Sequence, residues 1–122
     1  MDDELYAAAR ALGEALRQAD AVQIYLRARA DCEADAALVA QEAHVQAVYE
    51  ALVARQRAGE DLPREEVERF YALRQRVQSA PRIRARDTAL TDVKRLFVEA
   101  GTAITNQLGV DFTELALATP EA

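Results

Sequence analysis

Little in this sequence can break a helix, bind a metal or carry out covalent chemistry. Its 122 residues include one cysteine, four glycines, three prolines and no tryptophan. A lone Cys32 excludes an internal disulfide and a cysteine-built zinc site, as expected of a chain from a reducing compartment, and reads as a small helix residue. The glycines stand singly at Gly13, Gly59, Gly101 and Gly109, so no glycine-rich phosphate loop is present. His44 and Ser79 are each the only residue of their type. A Ser-His-acid triad would have to join a serine at a helix break to a histidine in mid-helix, and nothing favours that pairing. Gln41 stands three residues before His44, so the Glu-x-x-His motif of a di-iron bundle is missing, and His44 reads as a packing or surface residue. The expectation is no catalytic, cofactor-binding or metal-binding residues, hence no enzyme. No uninterrupted apolar run approaches the roughly 20 residues of a membrane span, and the chain opens on Asp2, Asp3 and Glu4 instead of a basic and apolar leader. The expected location is the cytoplasm.

What the chain does have is helix-forming side chains. Hydrophobic residues make up 51% and charged residues 30%, with Ala, Leu, Glu and Arg prominent. A chain of this length folds as one domain and buries roughly two-thirds of its unfolded surface. A single helical domain over 1–122 is expected, with an ordered core at about 3–112 and a tail at 113–122. The net charge of −6 argues against broad nucleic-acid binding, because affinity for phosphate backbones comes from Lys and Arg. Residues 1–50 hold ten acids against four arginines, whereas 51–122 hold eleven of each sign.

Apolar residues recur at helical spacing and strict alternation is absent, so the fold class is all-α, with about five helices. Helix one covers about 3–18, with Leu5, Leu12 and Leu16 on a narrow stripe. Asp20 offers an N-cap to a helix at about 21–33. Asp35 caps a long helix ending at Ala58, before Gly59, which suits the left-handed position after a C-terminus. A fourth helix covers about 63–78, with Pro63 at its first position, and a fifth about 80–108, with Ser79 as its cap, stopping at Gly109. Leu38, Val45 and Leu52 in the third helix, and Ile83, Leu90, Phe97 and Ile104 in the fifth, fall seven residues apart and draw heptad-like seams. At 1.5 Å per residue the fifth helix spans roughly 40 Å, longer than a compact domain of this size is wide. Some apolar surface is then left over, and self-association through the two long helices, most simply as a two-fold dimer, is the expected remedy. Those seven seam residues and Gly101 form the expected oligomer interface. Gly101 either permits a close helix crossing, one between subunits included, or is a tolerated accident. Asp87 and Lys94 interrupt the fifth helix's seam, as interface charges or as solvated ones.

The acidic group Glu60, Asp61, Glu65, Glu66 and Glu68 lacks the ligand pattern of a calcium loop and reads as a solvated helix start. The run Arg74, Arg76, Arg82, Arg84, Arg86 contains no acid between its ends. Arg82 and Arg84 oppose the dipole of the helix they begin, so local stability does not account for them. Either this corner is a solvated surface, or it docks an anion. In the second case an acidic protein segment is the first reading, and an RNA-associated module using residues 74–86 is the alternative.

This layout resembles the YlbF/YmcA family of small helical bacterial regulators of competence, sporulation and biofilm development. The resemblance is carried by Leu5, Tyr6, Ala9 and Leu12, by Tyr25 and Leu26 after Asp20, and by Asp35 opening the long helix. The Gly59 to Pro63 loop, Ser79-Ala80-Pro81-Arg82-Ile83 and the ending Leu108-Gly109-Val110-Asp111-Phe112 complete it. It implies an all-helical fold, homo-oligomers, no enzymatic activity and adaptor work among regulatory proteins. In some members the complex influences an RNA-degrading endonuclease, and some bind an iron–sulfur cluster through cysteines. With Cys32 alone, this sequence supplies no such ligand set.

Overall fold

The computed structural model describes residues 1–117, and within them every regular element is an α-helix. They are α1 (Asp3–Gln18), α2 (Asp20–Glu33), α3 (Ala36–Arg57), α4 (Arg64–Gln78), α5 (Pro81–Leu108) and α6 (Phe112–Leu117). The chain forms two compact units, one of Ile24–Thr88 (the inner unit) and one of Met1–Gln23 with the residues from Ala89 onward (the terminal unit).

Local signals account for the helix ends. Asp2 accepts from the Leu5 amide at 2.7 Å and Asp35 from the Leu38 amide at 3.2 Å, each satisfying a donor that the first turn of its helix leaves unpaired. Gly59 and Gly109 take φ of +88° and +76° just after α3 and α5, a conformation that a Cβ would penalise. Asp20 lies inside the first turn of α2. Ser79 ends α4, its hydroxyl donating to the Gln75 carbonyl at 2.6 Å, so it caps the helix behind it and not the start of α5. The sixth helix is a correction to the expected tail. Phe112–Leu117 is helical, and residues 118–122 of that tail lie outside the described residues.

In the inner unit α4 doubles back along α3. Arg55 pairs with Glu66 near the connection, and the Tyr49 ring lies 5.9 Å from Phe70 farther along, so the partners run in opposite directions. The core gathers Cys32 of α2, Val77 of α4 and Ile83 of α5, with Leu38, Val45, Leu73 and Ala80 packed against it. Ile83 is 1% exposed and Leu52 is buried. The expected interface seam is corrected accordingly. Leu52 and Ile83 are core side chains of this chain, and Leu38 and Val45 are half covered by it, because α4 and the start of α5 occupy the face that the heptad spacing marks out.

Burial pushes the Cys32 thiol above its usual range, and its Sγ donates to the Arg82 carbonyl at 3.3 Å. It is an inert packing group. Replacing Ile83 by Ala should cost about 2–5 kcal/mol, the usual result of emptying a filled core site. Urea unfolding followed by circular dichroism will measure this; a loss below about 0.5 kcal/mol would mean that the site is not the packed centre described here.

Candidate functional site

The arginine run divides once its partners are located. Arg86 forks onto Glu42, with Nη1 and Nη2 each 2.8 Å from one carboxylate oxygen, and also reaches Asp87 at 3.1 Å. Arg82 donates to Asp35 at 2.9 Å, the same carboxylate that caps α3. These two arginines tie the start of α5 to α3. Of Arg82 and Arg84, which oppose the dipole of the helix they begin, Arg82 is thus accounted for by a tertiary pair that local stability does not supply. Arg76 and Arg84 are exposed and carry no ion pair among the described residues.

Arg74 is different. Its guanidinium lies over two rings of its own helix, 4.8 Å from the centroid of Tyr71 and 5.5 Å from that of Phe70, and it forms no ion pair among the described residues. It lines a cleft of about 370 Å³ within the inner unit, between α3, α4 and the first turns of α5. Tyr49, Phe70, Val45 and Ile83 give the cleft its apolar surface, whereas Gln46, Gln78, Arg86, Glu42 and Asp87 give it polar edges. The volume falls within the range of small-ligand or side-chain pockets. Sequence reasoning found Arg74 but missed Tyr49, Phe70, Tyr71 and Glu42. The spacing of Phe70 and Tyr71 four and three residues before Arg74 is the signal that identifies the stack.

The terminal unit carries a second feature. Leu12 and Leu16 of α1, Phe97, Gly101 and Ile104 of α5, and Phe112, Thr113 and Leu117 of α6 border an almost wholly apolar groove of about 340 Å³. A Cβ on Gly101 would meet Thr113 Oγ1 at 2.9 Å, so the close approach inferred for Gly101 is made by the chain's own α6, not by another subunit. The Phe112 amide donates to Thr105 Oγ1 at 3.0 Å and Asp111 caps α6 through the Glu114 amide at 3.1 Å, fixing α6 to α5. The Asp111 to Glu114 spacing is a capping signal that the sequence reading passed over. No residue of α1 or α6 is buried. Phe97, an expected interface residue, stays 50% exposed, while Leu90 and Ile104 are half-buried.

His44 is exposed on α3, and no group of three or more His, Cys, Asp or Glu among the described residues is placed to hold a metal ion. The acidic stretch after Gly59 is engaged by arginines, Glu60 and Glu66 with Arg55 and Glu68 with Arg64. No helix among the described residues is long and apolar enough to cross a membrane.

The chain belongs to the YlbF/YmcA family, described as control of competence regulator ComK, whose model matches residues 5–109. The expected resemblance and the all-α fold are thus shown, and the family is one of regulators. No curated protein and no solved structure matches the chain.

Arg86 holds the Glu42 carboxyl below its ordinary range by hydrogen bonding, outweighing the opposing effect of burial. A depressed folded value means that the pair contributes stability above the unfolded value, about pH 4.3, and loses it as pH falls through the folded value. Replacing Arg86 by Met should cost about 1–2 kcal/mol at pH 7, the lower part of the range for charged hydrogen bonds because Glu42 is partly open to solvent. The loss should shrink toward pH 3. Urea titrations at pH 7 and pH 3 compare the two directly, and an equal loss at both would rule out the ion pair as its source.

Proposed function

We propose that the chain is a non-enzymatic regulatory adaptor of the cytoplasm, acting through contacts with other proteins and assembling with copies of itself through its terminal unit. The observation that carries this reading is the apolar surface left open there. Leu5 is 57% exposed, Leu12 41%, Phe97 50% and Leu117 78%. Leu5, Leu12 and Leu16 fall on one stripe of α1, and the groove shared with α5 and α6 continues it. Surface of this kind marks an interaction site, and a second copy brings a matching stripe for an isologous contact.

The regulatory part of the reading rests on the family, and the arginine corner supplies a route to a different partner. The alternative, an RNA-associated module on residues 74–86, loses support because Arg82 and Arg86 are already neutralised by Asp35 and Glu42. Of the expected interface, the proposal retains Phe97, Ile104 and Leu90 and adds Leu12.

Sedimentation equilibrium at micromolar concentration tests the assembly. The unaltered chain is expected to sediment as a dimer or larger. The double variant Leu12→Glu with Phe97→Glu should sediment as one subunit with its helical circular dichroism retained, because both side chains are already half open to solvent. Arg84→Glu, in the inner unit, should leave the assembly unchanged. A compact single subunit for the unaltered chain across this range would refute the self-association.

A further inference from the structure

We infer that the cleft beside Arg74 receives a partner protein's segment that presents a single carboxylate next to an apolar side chain. The inference rests on the adaptor reading above and specifies what that adaptor recognises at its arginine corner.

The argument starts from how Arg74 is held. A cation held over aromatic rings is attracted by their π-faces, which take up none of its five N–H donors in a hydrogen bond to an acceptor atom. The position of Arg74 over Tyr71 and Phe70 therefore restricts the side chain without consuming a donor. No carboxylate among the described residues pairs with it. Arg86, lining the same cleft, has the opposite fate, with Glu42 and Asp87 both upon it. The cleft thus contains one spent cation and one pre-oriented, available cation. A carboxylate fits the available one by a two-point hydrogen-bonded fork, and ordering the side chain beforehand lowers the entropic cost of forming it.

The rest of the lining narrows the occupant. Tyr49, Phe70 and Val45 offer apolar and aromatic surface beside Arg74, enough for one aliphatic or aromatic side chain. Glu42 and Asp87 border the same space, so a second acid on the ligand would meet like charge. A polyanion is disfavoured for the same reason. RNA needs several phosphates neutralised together, and two of the five arginines that would do so are already paired. One acid flanked by an apolar residue matches Arg74 and the apolar wall of the cleft together.

Panning a library of random twelve-residue peptides against the full-length chain tests the proposal, with a twenty-nucleotide single-stranded RNA as a separate probe. The recovered peptides should carry one Asp or Glu adjacent to an apolar residue, without enrichment of acidic runs. Affinity of the best peptide should fall at least tenfold on Arg74→Gln. It should fall several-fold on Arg74→Lys, which keeps the charge but loses the fork, and on Tyr71→Leu, which keeps Arg74 but removes its support. Both side chains are accessible enough that circular dichroism should confirm retained folding. Absence of enrichment, peptides indifferent to Arg74→Gln, or RNA bound more tightly than any peptide would overturn the assignment. Because assembly is read separately by sedimentation, failure of the cleft with assembly intact would leave the self-association standing, and the reverse result would leave the cleft standing.

Discussion

The start of α5 is fixed by one apolar and three polar attachments within six residues, and the organisation of the inner unit depends on them. Ile83 fills the space against Cys32 and Val77. On either side of it Arg82 reaches Asp35, the Arg82 carbonyl accepts from Cys32, and Arg86 forks onto Glu42. Apolar contact alone is non-directional, so it can bury Ile83 in more than one rotation of the helix. The charged pairs are directional and remove that freedom. They also set that Ile83, Arg86 and Asp87 look into the cleft, since α5 forms one of its walls. The cleft is in this sense a by-product of the helix being held a fixed way round.

The same chain treats its two units unequally. In the inner unit α3 finds α4 and the start of α5 over its seam, and Leu52, Phe70 and Val77 are sealed. In the terminal unit the buried positions are the small or branched residues Ala89, Val93 and Gly101, while the leucines and aromatics around them stay open. Fully burying an apolar side chain of this size is worth about 1.5–3 kcal/mol, so leaving several of them half open forgoes several kcal/mol, a sizeable share of the roughly 5–15 kcal/mol that holds most domains folded. That imbalance is the physical ground for assigning assembly to the terminal unit and selective recognition to the inner one.

Much of this was legible from spacing and caps. Asp35, Gly59 and Gly109 mark helix ends by mechanisms local to a few residues, and the structure places the breaks where they stand. What spacing could not settle was the identity of the molecule covering a seam. A seven-residue repeat of Leu38, Val45 and Leu52 looks the same whether the cover is another subunit or the chain's own α4, because periodicity specifies a face and not its partner. The arginines failed for a related reason. Arg82 opposes the dipole of its helix, and the partners of Arg82 and Arg86, Asp35 and Glu42, lie more than forty residues away in sequence. Gly101 likewise marks room for a close approach without naming what fills it, and here Thr113 of α6 does.

The separation of the two arginine roles bears on how a regulator of this kind stays selective. Five arginines near one helix start would, if all were free, attract any polyanion in the cell with little discrimination. Committing Arg82 and Arg86 to internal carboxylates lowers that general attraction while keeping their stems as structure. Holding Arg74 over Tyr71 and Phe70 then leaves one cation, restricted in position, without a carboxylate partner among the described residues. Specificity of this type comes as much from the acids that line the cleft, and repel a second charge, as from the cation that attracts the first. Arg76 and Arg84, exposed and unpaired among the described residues, sit outside that arrangement and can contribute to the rate of encounter without deciding what is held.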